Sequence, residues 1–69
     1  MTLREVLAEN LIRYRLGAGL SQEELAHRAE IDRTYVSSLE RCRYSATVDV
    51  IEKLARELGV EASELLKQR

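Results

Sequence analysis

Residues 20–43 read LSQEELAHRAEIDRTYVSSLERCR, and the punctuation of this stretch divides it into two short helices. Ser21 followed by Glu24 is a capping box: the hydroxyl accepts from the amide three residues on, and the carboxylate returns to the Ser amide. A helix therefore starts at Gln22, with Leu25, Ala26 and Ala29 as its apolar stripe. Asp32 is a second N-cap, so the first helix ends and another begins across a linker of only Glu30 to Asp32. That is the turn length expected of a helix-turn-helix.

The second helix has two unlike faces. With Arg33 set at zero and about 100° per residue, Ser37 falls near 40°, Arg41 near 80°, Thr34 near 100° and Ser38 near 140°. Tyr35, Val36, Leu39 and Glu40 occupy roughly 200° to 340° by the same count. The first face carries Arg, Thr and Ser without Glu or Lys, residue types suited to base edges and phosphates. The alternative is an ordinary solvated face of a small helical bundle.

Composition confines the remaining choices. The 69 residues allow one domain, 1–69, and 45% hydrophobic with 33% charged residues is the balance of a folded chain. Absence of proline and the sparse glycines favour an all-α chain. No apolar run approaches the roughly 18 residues of a membrane span, and Met1 leads into a charged amphipathic segment, so the expected location is cytoplasmic, with no membrane partner. Cys42 alone makes no internal disulfide, and with the single His27 it makes no zinc ligand set, so neither metal nor cofactor is expected.

A net charge of −1 conceals an uneven distribution. Residues 21–32 hold Arg28 against Glu23, Glu24, Glu30 and Asp32, whereas residues 33–47 hold Arg33, Arg41 and Arg43 against Glu40 alone. Indiscriminate attraction to phosphate needs a strongly basic protein. Positive charge gathered on one helix and the loop after it suits a site-specific reader.

Three more helices complete the chain. The first runs from about Thr2 to Ala18, with Leu7, Leu11, Tyr14 and Ala18 on one face and Gly19 ending it. Thr47 caps the fourth, whose stripe is Val48, Ile51, Leu54, Ala55 and Leu58 before Gly59. The last, roughly Ala62 to Lys67, is too short to be stable alone and must pack on the others.

Taken together, LSQEELA, the Arg-Thr-Tyr-Val helix ending in Leu39-Glu40-Arg41, and Leu54-Ala55-Arg56-Glu57-Leu58-Gly59-Val60 resemble the five-helix DNA-binding domain of the phage repressor and Cro type, the XRE family. The resemblance covers about Leu7 to Leu66 and implies a lambda-repressor-like fold with a central helix-turn-helix. Ile31-Asp32-Arg33-Thr34-Tyr35-Val36-Ser37 further resembles the small controller proteins of restriction–modification systems, which regulate their own operon as dimers. The implied partners are double-stranded DNA, a second copy of the chain, and RNA polymerase. The implied activity is transcriptional regulation, as a repressor or otherwise.

The resemblance assigns roles residue by residue. Gln22 is expected on the DNA backbone or an adjacent base, and Arg33 and Thr34 at the end of the helix that enters the major groove. Arg33 suits guanine O6 and N7, and the Thr34 methyl suits a thymine methyl. Ser37, Ser38 and Arg41 share that face, and Arg43 and Ser45 follow in the loop. Tyr35 stands at the boundary, either buried or reaching DNA with its hydroxyl. Arg15 and Glu40 match a family ion pair between the first and third helices. Apart from the resemblance, Val60, Leu65 and Leu66 form an apolar cluster at the C-terminus and are the expected dimer interface, on the premise that Val48, Ile51, Leu54 and Leu58 already fill the core; the alternative is that Leu65 caps that core and only Val60 or Leu66 pairs across the two-fold.

The chain departs from the family where Glu30 stands for Gly or Asn, Cys42 for Gly, and Ala46 for Pro. A Glu at a left-handed turn position costs about 1 kcal/mol relative to Gly. No glycine-rich phosphate loop or nucleophile–base spacing supports an enzyme. The competing class is an interaction module: a DNA-binding antitoxin, which is expected to need more chain to cover its toxin, or a helical adaptor.

Overall fold

The computed structural model describes residues 1–69 as five helices: α1 (Leu3–Gly17), α2 (Gln22–Ala29), α3 (Arg33–Glu40), α4 (Val48–Leu58) and α5 (Ala62–Leu65). Each of the first four starts at a side-chain cap. Thr2, Ser21 and Thr47 accept from the amide three residues on, and Asp32 accepts from the Thr34 amide. Thr2 with Glu5 closes a full capping box, as Ser21 with Glu24 does. The Thr2-x-x-Glu5 signal was there to be read in the sequence.

Helix ends are closed by one recurring device. After α1, α2, α3 and α4 a residue turns left-handed, and the next amide donates back to a carbonyl five residues earlier: Leu20 to Arg15, Ile31 to Ala26, Arg43 to Ser38 and Val60 to Ala55. Gly19 and Gly59 fill the left-handed position after α1 and α4. Glu30 (φ 58°) and Cys42 (φ 59°) fill it after α2 and α3, where a Cβ is unfavourable. The unrelieved strain thus brackets α3.

Leu11, Leu25, Val36, Leu39, Leu54 and Leu65 form the centre of the core, each essentially inaccessible. α3 packs on α1 and α2, α4 on α2, and α5 on α1 and α4. Burying a leucine contributes about 1.5–3 kcal/mol, so these few side chains carry most of the favourable free energy of so small a domain.

Three expectations about the C-terminal half are corrected. Val48, the first residue of α4, is 74% exposed and not in the core. Ile51 and Leu58 are only half-buried. Leu65 is fully buried in the core of its own chain, with Ile51 and Leu58 packed against that core, and offers no surface to a partner. α5 also ends at Leu65, with Leu66 as its C-cap, short of Lys67.

The end of α5 is held by Asn10. This buried side chain on α1 directs Nδ2 at the carbonyls of Glu64 (3.2 Å), Leu65 (2.9 Å) and Lys67 (2.9 Å), while its Oδ1 accepts from Arg13 (2.7 Å). The two amide hydrogens of Asn10 are thus shared among carbonyls at the end of α5 and just beyond it, fastening this short helix to α1. Tyr14 adds a bond from its hydroxyl to Glu64 at 3.2 Å.

Candidate nucleic-acid interface

Residues of α3 divide by exposure as the angular count requires. Val36, Leu39 and Glu40 are buried, Arg33 and Thr34 are exposed, and Ser37 and Ser38 lie half-exposed between them. Arg41 is exposed one residue beyond the helix, as its C-cap. Arg33, Arg41 and Arg43 form no ion pair within the chain. Their charge is open to an external anion.

Asp32 shapes the start of α3. Its carboxylate accepts from the Thr34 amide at 2.8 Å and from the Thr34 hydroxyl, and these bonds hold it below the usual carboxylate range, the hydroxyl contributing most. Thr34 is thereby left without a hydroxyl hydrogen to donate outward; what it offers is an oxygen lone pair and its methyl group.

Behind this surface a polar knot joins three helices. Arg15 Nε and Nη2 donate to Glu40 at 2.6 and 3.0 Å, Arg15 Nη1 donates to the Leu20 carbonyl at 2.9 Å, and Gln22 Nε2 donates to Glu40 Oε1 at 2.8 Å. The hydrogen bond to Glu40 is the main reason the Arg15 guanidinium is raised above its ordinary pKa, burial working the other way. Gln22, expected at DNA, spends one amide hydrogen on Glu40 and retains a second hydrogen and its carbonyl oxygen. It lines an open polar cleft of about 410 Å³ with Arg15, Ser21, Glu23 and Arg33.

Tyr35 is half-buried. Its ring meets Tyr44 edge to face at 5.4 Å, and its hydroxyl donates a long 3.4 Å bond to the Ser45 carbonyl. Arg4, a residue sequence reasoning missed, donates from Nη2 to Ser45 Oγ at 2.7 Å. No local pattern signals that bond, because its partners are 41 positions apart. Arg43 and Ser45 are both exposed on the loop so held.

The helix-turn-helix family profile matches residues 11–65, the span from mid-α1 to the end of α5. The chain belongs to this helix-turn-helix family. Among relatives, the domain is 52% identical over 64 residues to a hypothetical transcription factor of Neisseria meningitidis, covering 93% of this chain and 60% of that protein. It is 38% identical over 69 residues to the control protein C.SmaI of Serratia marcescens, covering all of this chain and 82% of that one. Among solved structures, the restriction-modification controller protein C.AhdI from Aeromonas hydrophila superposes with a TM-score of 0.87 at 37% identity, covering 90% of this chain and 94% of that chain.

The helix-turn-helix domain therefore has the fold of transcription regulators and not of an enzyme family. No helix in it is long and apolar enough to cross a membrane.

Proposed function

We propose that this helix-turn-helix protein is a sequence-specific transcriptional regulator that binds palindromic operator DNA as a homodimer and controls its own operon in a restriction–modification system. The observation that carries the reading is α3, buried along Val36 and Leu39 and presenting Arg33, Thr34, Ser37 and Ser38 outward, with Arg41 and Arg43 just beyond it. α3 enters the major groove, Arg33 pairs with guanine, and the Thr34 methyl meets a thymine methyl. Gln22 bonds a phosphate with its remaining amide hydrogen, and the loop carrying Arg43 and Ser45 meets the backbone or the minor groove. Similarity to control and controller proteins supports the operon assignment.

A single domain offers one recognition helix, and a two-fold dimer doubles the contacts on half-sites about one helical turn apart. Val60 and Leu66 remain the interface residues of this reading, both half-buried at the C-terminal end. Leu66 also borders an open groove of about 190 Å³ lined by Leu3, Leu7, Ala46 and Ile51 together with Arg4 and Ser45.

Selection of bound duplexes from a random library tests the whole. Inverted half-sites are expected, and transcription by RNA polymerase from a template carrying them distinguishes repression from activation. A protein that selects no sequence, or that remains monomeric in sedimentation at micromolar concentration and binds one half-site as tightly as a palindrome, overturns the reading.

A further inference from the structure

Ser45 is held from two directions by elements remote in sequence. Its hydroxyl oxygen accepts from Arg4 Nη2 at 2.7 Å, tying the loop to the first turn of α1, and its carbonyl accepts from the Tyr35 hydroxyl, tying it to α3. Arg4 has no carboxylate partner, so its one recorded side-chain bond is the one to the loop. The loop itself begins at Cys42 in a left-handed conformation that favours glycine.

We propose that Arg4, outside the helix-turn-helix, is a positioning residue: by holding Ser45 against α1 it fixes the path of residues 43–46, so that Arg43 meets DNA in one orientation. This rests on the reading above that the Arg43 loop contacts DNA. A hydroxyl that accepts from a guanidinium is also a better donor, so the same contact leaves Ser45 with a polarised O–H toward a phosphate oxygen. The physical effect is to order the loop before binding, which removes part of the entropy cost otherwise met on association.

The test is a double-mutant cycle of Arg4→Ala and Arg43→Ala, with the duplex selected from a random library and a scrambled duplex as probes. Both residues are exposed, and unchanged melting curves check that each variant folds. Arg4→Ala is expected to weaken binding to the selected duplex about three- to five-fold, leave the salt slope unchanged, and have almost no further effect once Arg43 is alanine. Without DNA, the ¹⁵N heteronuclear NOE of the 43–46 amides should fall in Arg4→Ala and stay normal in Arg43→Ala. A salt slope reduced by about one, with equal loss on both duplexes, would make Arg4 a phosphate contact and overturn the proposal. So would losses that add in the double variant, or loop amides as ordered as in wild type. An Arg43→Ala protein that binds like wild type overturns the loop reading, and this inference with it.

Discussion

Arg15 grips Glu40 through two nitrogens, Nε at 2.6 Å and Nη2 at 3.0 Å, joining the last turn of α1 to the last residue of α3 in a site where the two side chains are 11% and 4% exposed. Glu40 is thus the acceptor on which both Arg15 and Gln22 converge. The helix that presents the candidate DNA-contacting residues is oriented by a carboxylate at the buried edge of that face, about 20° from Arg33 in the angular count.

Removing that acceptor strands a nearly dry guanidinium. Glu40→Ala should destabilise the fold by about 3 kcal/mol, far more than loss of an exposed pair. For a domain of this size the melting temperature should fall by about 20 °C. A thermal melt that matches wild type would exclude the pair as a structural element.

Base reading and backbone holding separate by mutation. Arg33→Ala should cost about 1–3 kcal/mol on the selected duplex and relax preference at one base pair. Arg43→Ala, where it touches only phosphate, should weaken all duplexes alike and reduce the salt slope by about one. Equal losses for Arg33→Ala on selected and scrambled duplexes would remove it as a base reader. An Arg43→Ala loss confined to A·T-rich centres would indicate minor-groove readout.

The two left-handed residues beside α3 are sites of gain. Glu30→Gly and Cys42→Gly should each stabilise the protein by about 0.5–1 kcal/mol, since relief of the Cβ clash exceeds the added freedom of glycine in the unfolded chain. Denaturant midpoints measure this directly. Midpoints that fall in both variants would mean that the side chains contribute more than their backbone strain costs.

Acid should loosen the helix starts. Hydrogen bonds from Thr2 to Glu5 and from Ser21 to Glu24, the backbone amide first in each case, hold these carboxylates below their ordinary value of 4.5, and Thr34 holds Asp32 below 3.8. A depressed folded-state value means that the stabilisation is complete above the ordinary value and is lost as pH falls through the folded one. Melting temperature should therefore decline below about pH 4.5, and the slope should flatten in a protein carrying Glu5→Gln, Glu24→Gln and Asp32→Asn. An unchanged slope in that variant would assign the acid sensitivity to other groups.

The pieces legible in the chain were those written in short-range chemistry. Ser21 with Glu24, Asp32, Thr47 and Gly59 act within one turn of a helix, so their spacing alone placed α2, α3 and α4. The faces of α3 followed from its period, since a helix rotates every residue by the same angle. The Arg15–Glu40 pairing came from the family resemblance, because nothing local joins positions 25 apart.

Tertiary structure decided what depends on how helices meet. Val48 and Leu65 are both apolar residues on apolar stripes, yet the first lies exposed and the second is sealed by α1 and α4, a difference set by where α4 crosses α2 and where α5 folds back. Asn10 in α1 carries no motif, and only the return of α5 brings three carbonyls to its amide. Arg4 and Ser45 are ordinary polar residues until the chain brings them within 2.7 Å. Caps and periodicity act through bonds within a few residues, so sequence determines them; burial and long-range hydrogen bonds are properties of the packed whole, and only the packing assigns them.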